Sequence, residues 1–290
     1  MKSSITSYSF QPYIRARKMT HVDTVKAAYD LGFDAIEFTD MQGEDYETQC
    51  ENARKIRAEA DKYGVKVISY TIAAQLYQET EEEICAEIER IKKQVDIAAI
   101  LGCPTMRHDT TFKYGETDAG RSFDLMLPTI ARAAREITEY AATKGIKTCT
   151  ENHGFISQDS DRVERLVNAV NNGNFGVLVD MGNFTCADEQ PHLAVSRVAP
   201  YAFHVHAKDF IIRDKECKVL GGFWTRGASY LIPVAVGEGD VPVERCLRIL
   251  RIAGYDGYVT IEYEGSADSF EGIKIAKANL DKYIAAVCEE

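Results

Sequence analysis

The feature that most constrains this chain is an alternation of short apolar segments with longer amphipathic ones, kept up from end to end. Segments 3–10, 35–39, 65–72, 104–108, 146–152, 175–180, 202–208 and 258–264 are short, carry many β-branched and aromatic residues, and read as strands. Helical patterns lie between them, at 21–31, 47–63, 82–101, 123–144, 159–172, 191–201, 241–253 and 270–288. The clearest is 82–101, where Ile84, Ile88, Ile91 and Val95 recur at helical spacing on one face. Several of these patterns stop at a glycine, as at Gly32, Gly64, Gly102 and Gly145. Strand–helix alternation implies parallel strands joined by helical crossovers. Eight such units in 290 residues predict an α/β fold of the (β/α)8 TIM barrel type, whose active site lies at the C-terminal ends of the strands. An open doubly wound sheet is the competing architecture. It would carry a Gly-rich loop after its first strand, and Ser7 to Pro12 contains no glycine. No linker or low-complexity tract interrupts the pattern, so residues 1–290 are expected to form one domain.

Composition narrows the function classes. Acidic residues outnumber basic ones, 45 to 34, for a formal charge of −11. Nucleic-acid backbones call for basic patches, so no nucleic-acid partner is expected. No stretch reaches the length of a membrane span and the first residues lack an apolar signal core. The eight cysteines are scattered from Cys50 to Cys288 with no Cys-x-x-Cys pair, which fits reduced thiols in a cytoplasmic protein better than a disulfide framework.

Chemistry concentrates at four strand ends. In Phe203-His204-Val205-His206-Ala207-Lys208-Asp209, the period of two puts His204, His206 and Lys208 on one face and Phe203, Val205 and Ala207 on the other. The fifth, sixth and eighth strands end in carboxylates, at Glu151, Asp180 and Glu262. Adjacent strands lie about 5 Å apart, so Glu151, Asp180, His206 and Glu262 can converge on one arc of the rim. Three carboxylates brought together without a cation would force one to take up a proton. An oxygen-rich set with one imidazole predicts a single divalent cation, Mn²⁺ first, with Mg²⁺, Co²⁺ or Zn²⁺ as alternatives.

Glu151-Asn152-His153-Gly154, Val179-Asp180-Met181-Gly182-Asn183, His204 to Asp209, Gly237-Glu238-Gly239-Asp240 and Ile261-Glu262-Tyr263-Glu264 resemble the sugar phosphate isomerase/epimerase family with a xylose-isomerase-like barrel. That family includes ketose 3-epimerases, hydroxypyruvate isomerase, inosose dehydratase and endonuclease IV. The resemblance covers nearly the whole chain and is specific to the superfamily rather than to a substrate. It implies that Glu151, Asp180, His206 and Glu262 ligate the metal, and that Glu151 and Glu262 also flank the substrate and move the proton. His153 follows Glu151 in a common family pattern. Asn183 stands where epimerases and the endonuclease often carry His; a second metal loses a ligand there, which with the −11 charge disfavours DNA repair.

Metal binding by a hydroxyl and a neighbouring carbonyl acidifies the carbon between them by stabilising an enediolate. Reprotonation on the opposite face gives an epimer, on the next carbon an isomer; loss of a β-substituent gives elimination. The expected activity is therefore a metal-dependent sugar isomerase or epimerase acting on a keto-sugar or related polyol. A lyase (keto-inositol dehydratase or β-elimination from a 3-keto-glycoside) and a metal-binding scaffold subunit are the alternatives. Lys208, His108, His153 and Asn183 are candidate substrate contacts. Arg107 is expected to point away from the barrel and pair with a neighbouring carboxylate, and Glu264 to make a loop contact. The connection 210–240 is longer than most βα loops. It holds the only Trp, Trp224, beside Phe223 and Arg226, with Gly221, Gly222 and Gly227 as hinges. It is read as a lid that brings Trp224 or Arg226 to the ligand, with a subunit contact as the alternative. The partner is expected to be a small carbohydrate, with no nucleic acid or membrane; a homo-oligomer is compatible with the sequence.

Overall fold

A computed structural model describes residues 1–113, 122–218 and 220–289. The chain opens with β1 (Lys2–Thr6), a 3-10 turn (Ser7–Phe10) and a short α1 (Gln11–Arg15). It continues through α2 (His21–Asp30), β2 (Ala35–Thr39), α3 (Tyr46–Tyr63), β3 (Lys66–Ile72), α4 (Glu81–Leu101) and β4 (Thr105–His108). Then come α5 (Phe123–Thr143), β5 (Lys147–Glu151), α6 (Ser160–Val170), β6 (Phe175–Asp180), α7 (Pro191–Val198) and β7 (Ala202–Ala207). After β7 stand β8 (Asp209–Arg213), β9 (Phe223–Trp224) and β10 (Tyr230–Val234), then α8 (Val243–Ile252), β11 (Tyr258–Ile261) and α9 (Ser269–Glu289).

Strands β1 to β7 and β11 close into an eight-stranded parallel barrel, in the order β1-β2-β3-β4-β5-β6-β7-β11 and back to β1. The predicted (β/α)8 architecture is thus the observed one. The helices are set by local signals. Thr80 caps α4 and Glu83 returns the bond to the Thr80 backbone, a reciprocal capping box. Gly102 ends the same helix at φ 73°, in the left-handed region. Between caps, Ile88, Ile91 and Val95 are fully buried, each isoleucine contributing roughly 1.5–3 kcal/mol by leaving water. The apolar core lies between strands and helices. The inside of the barrel is polar instead: Ser4 Oγ and Thr260 Oγ1 lie 2.7 Å apart, and Thr260 meets His204 at 3.1 Å.

Two elements differ from the sequence reading. The first strand ends at Thr6 rather than running to residue 10. The Thr6 hydroxyl accepts the Tyr8 N–H, and Pro12 stands in the first turn of α1. The connection 210–240 is largely ordered: β8, β10 and β9 form an antiparallel sheet, with Ile212 facing Leu231 and Trp224 facing Tyr230. Asp209 anchors it by accepting the N–H groups of Gly237, Gly239 and Val241 at 2.8–3.1 Å.

Candidate metal and active site

The barrel register decides which side chains turn inward. Glu151 ends β5, and Cys149, on the same face, lies opposite Arg107 of β4 and Gly176 of β6. Leu178 and Asp180 continue that inward face on β6, opposite His204 and His206 of β7. His206 Nδ1 lies 4.0 Å from Glu151 Oε1, 3.9 Å from Asp180 Oδ2 and 3.6 Å from Glu262 Oε2. One ligand atom from each of the four residues falls within 4.8 Å of the other three.

This donor set fits a divalent cation. His206 Nδ1 and Asp180 Oδ2 are buried without a hydrogen-bond partner, and buried polar atoms are rarely left so. Asp180 Oδ1 is fixed by the N–H groups of Gly182 and Asn183, at 2.8 and 2.9 Å. Its other oxygen is turned to the cluster, with Lys208 Nζ 3.6 Å away. Burial, with Glu151 and Glu262 nearby, raises the Asp180 carboxyl to about 6 despite Lys208. Burial opposes charge on His206, but Glu37 and Glu262 outweigh it and hold the imidazole pKa well above its usual value. For Glu262, burial is outweighed by Lys208 and His206, which hold its carboxyl well below the usual range. Without a cation the cluster therefore holds protons, and a metal would displace them.

Glu37 of β2 was not picked out in the sequence. It is fully buried and meets His204 Nε2 at 2.8 Å and His206 Nε2 at 3.0 Å. A carboxylate on Nε2 fixes the ring so that Nδ1 faces the other ligands. The signal was there: Glu37 is the lone charge in Ala35-Ile36-Glu37-Phe38, and a charge in a buried strand needs a partner.

Arg107 corrects the sequence reading of its strand. It turns inward, because it shares the face of Cys149 and Glu151, and its Nη2 lies 2.6 Å from both Glu151 Oε2 and Asp109 Oδ1. Alternation then sends His108 outward. It is fully buried, packs 6.0 Å from the Phe175 ring, and does not line the mouth. His153 does line it, with Nδ1 3.1 Å from Asp109 Oδ1. Burial disfavours its charged form, but Asp109 raises its pKa overall. Asn183 donates to Glu151 Oε1 at 2.8 Å and accepts from Lys208 at 3.4 Å. Lys208 also reaches Glu262 at 2.5 Å and Glu264 at 3.4 Å. Glu264, read as a loop contact, therefore faces the site.

The mouth is a cavity of about 300 Å³ lined by Arg107, Asp109, Glu151, His153, Lys208 and Glu262 on one side and by Thr39, Asp40 and Thr71 on the other. A larger cavity of about 570 Å³ opens at the opposite end of the barrel and holds none of the four clustered residues; the convergent charges mark the smaller one as the site. Neither Trp224 nor Arg226 lines it. Trp224 packs on Tyr230 and Arg226 bonds Asp159 at 3.1 Å. Trp224 is held in β9 and Arg226 in the turn that follows it, so the expected contact with a ligand has no counterpart in the lining of this mouth.

Fold and site together define a (β/α)8 barrel with an oxygen-rich cluster, able to hold a cation, at the C-terminal ends of β5, β6, β7 and β11. The chain belongs to the xylose isomerase-like TIM barrel family, which matches residues 25–285. It is 24% identical to the inosose dehydratase of Clostridium perfringens over 144 residues, 47% of this chain. The chain spans about half the length of the inosose dehydratases it matches, 46% for that one. It is 26% identical to the rhizopine catabolism protein MocC of Rhizobium meliloti, over 78% of this chain and 72% of that one. Among solved structures, the fold is similar to the zinc-bound IOLI protein, with a TM-score of 0.77 at 16% identity over 99% of both chains. It is also similar to L-ribulose 3-epimerase, with a TM-score of 0.74 at 14% identity over 100% of this chain and 96% of that one. Among the described residues, no helix is long and apolar enough to cross a membrane.

Proposed function

We propose that this chain is a divalent-metal-dependent isomerase or epimerase of a keto-sugar or related polyol, which removes a carbon-bound proton next to a carbonyl. The observation that carries this reading is the pair of orphaned atoms, His206 Nδ1 and Asp180 Oδ2, aimed between the carboxylates of Glu151 and Glu262. Glu151, Asp180, His206 and Glu262 would hold the cation. Three oxygen donors and one nitrogen suit Mn²⁺ or Mg²⁺ better than a sulfur- and imidazole-rich zinc site. When bound, the ion supplies Lewis acidity to a substrate hydroxyl and carbonyl oxygen.

The proton is the work of the two glutamates. Both Glu151 oxygens are engaged, one by Arg107 and one by Asn183. Among the described residues Glu262 is engaged through Oε2 alone, by Lys208 and, more distantly, His206. Glu262 is therefore assigned as the base that takes the carbon-bound proton, and Glu151 as the group that returns one from the other side. Lys208, held between Glu262, Glu264 and Asp180, balances charge as the enediolate of the substrate forms. His153, which lines the mouth, is assigned to a substrate hydroxyl; Asn183 lies outside that lining and spends its amide on Glu151 and Lys208, so it is assigned to holding those two in place. The free thiols support a reducing, cytoplasmic setting.

A second reading, a lyase on a keto-inositol or related polyol, is favoured by the similarity to inosose dehydratases. It needs an acid for the departing hydroxyl, and His153, backed by Asp109 at the mouth, suits that task. One experiment tests both readings. The Mn²⁺-loaded protein is incubated with a panel of ketoses and keto-inositols in D₂O and followed by NMR. Deuterium on the carbon beside the carbonyl, with an epimer or isomer, supports the first; an eliminated product supports the second. No exchange and no turnover across the panel would sink both.

A further inference from the structure

A second, smaller cavity adjoins the mouth. It measures about 160 Å³ and shares Tyr8, Gln11, Arg15 and Glu264 with the 300 Å³ cavity above the cation cluster. Beyond that shared wall it is lined by Pro12, Tyr263, Gly265 and Ser269 and stays open to solvent. The space equals roughly five liquid waters at about 30 Å³ each, about that of one further sugar ring.

The wall is polar; Glu264 and Tyr263 are engaged, by Lys208 and by Ala267 O, and three other groups are unspent. Tyr8, Gln11 and Arg15 stand on the 3-10 turn and α1 that follow β1. Among the described residues, none of these three side chains makes a hydrogen bond or ion pair within the protein. The contrast with the neighbouring cations is sharp: Arg107 and Lys208 are each tied to two or more carboxylates. Polar side chains that face a concavity and bond nothing in the protein are available to a ligand. Their types also say which ligand. Gln11 offers a donor and an acceptor, Arg15 a fork of donors and Glu264 two acceptors, while Tyr8 and Tyr263 add amphipathic rings. Glu264, which Lys208 also reaches, lines the same wall as Arg15, so the guanidinium is not the only charge there. The set matches a neutral, hydroxyl-rich ring better than an anion or an apolar group.

We propose that this side cavity binds a second sugar, so that the substrate is a keto-sugar carrying a glycosyl group rather than a free monosaccharide. The reacting ring lies over Glu151 and Glu262, and the appended ring lies across Tyr8, Gln11 and Arg15. This deepens the function proposed above and rests on it for the identity of the reacting ring.

The test measures binding apart from turnover. Dissociation constants for the Mn²⁺-loaded protein are taken by saturation-transfer NMR for D-fructose, for its glucosylated relatives turanose, maltulose and isomaltulose, and for fructose 6-phosphate. The expected result is that at least one disaccharide binds tenfold or more tighter than fructose. Arg15→Ala and Gln11→Ala should each erase most of that preference, weakening the disaccharide several-fold more than fructose. Either variant weakening both sugars equally, or no disaccharide exceeding fructose, overturns the proposal. A larger gain from the phosphate than from any glucosyl group overturns it in favour of an anion site. Deuterium exchange without glycosyl preference would remove only this inference; glycosyl preference without exchange would remove only the proposed reaction.

Discussion

Glu37 Oε2 lies 3.0 Å from His206 Nε2, on the side of the ring opposite to the three carboxylates that Nδ1 faces. The bond orders the imidazole across the barrel axis, from a strand that contributes nothing else to the cluster. Outer-shell carboxylates of this kind commonly tune metal affinity 10- to 100-fold. Glu37→Gln keeps the shape and removes the charge, so it should weaken Mn²⁺ binding by roughly that factor with all four proposed ligands intact. A titration giving the parent affinity would show that His206 needs no such support.

His206→Ala should go further and abolish stoichiometric metal. Protein purified without chelator should carry about one equivalent, as a single four-residue site implies, and the variant almost none by elemental analysis. Full occupancy in the variant would remove the assignment of the cluster.

The site should also set a pH dependence. Asp180 has its pKa raised to about 6 by burial and by its carboxylate neighbours, and His206 has its own raised by Glu37 and Glu262. A group whose folded pKa lies above its unfolded value stabilises below the unfolded pKa, and that stability is lost as pH rises through the folded one. Chelated protein should therefore lose thermal stability as pH rises from about 4 to 6, through Asp180, and again above about 6.5, through His206, and Asp180→Asn should flatten the acid part of that slope. Mn²⁺ binds the deprotonated cluster, so its affinity and the Tm gain it confers should grow with pH over the same range. A Tm gain independent of pH would mean that no cluster proton is displaced.

Arg107 joins Glu151 and Asp109 in a buried set; if it goes, Glu151 loses its ion-pair partner and Asp109 keeps only His153. Arg107→Met should cost on the order of 3–5 kcal/mol, the scale for breaking a buried ion pair from one side. Denaturant unfolding reads this directly; a loss below about 1 kcal/mol, the scale of an exposed ion pair, would show that water replaces the guanidinium.

The barrel and the convergence of four strand-end side chains were legible because they follow from local rules. The strands ending in Glu151, Asp180, His206 and Glu262 are identified by pattern, and adjacency in a parallel barrel does the rest. Facing was harder. Whether Arg107 or His108 turns inward depends on the register of β4 against β5, and a four-residue strand has too few apolar positions to reveal it. Glu37 was missed because its partners lie far along the chain, on β7. The sheet within 210–240 was missed because the segment was read by its length and its glycines; Pro233 also argues against a strand there. The structure tolerates it because β9 pairs only with Tyr230 and Leu231, leaving Pro233 where β10 has a partner on one side alone.

That sheet leads to the last prediction. Trp224 sits in β9, 45% exposed, with its ring against Tyr230. Arg226 is tied to Asp159 and neither side chain lines the mouth. The root of the segment is pinned, since Asp209 takes three backbone N–H groups from its far end. A segment so anchored is expected to frame the mouth without swinging over the substrate. Trp224→Ala should leave kcat/KM within about twofold, because an interaction absent from the transition state does not change it. Since Trp224 is the only tryptophan, its emission reports on this sheet alone. It should shift little when a substrate analogue saturates the Mn²⁺-loaded protein. A large emission change on binding, together with a tenfold loss of turnover in the alanine variant, would mean that the sheet closes after all and that Trp224 reaches the ligand in the closed form.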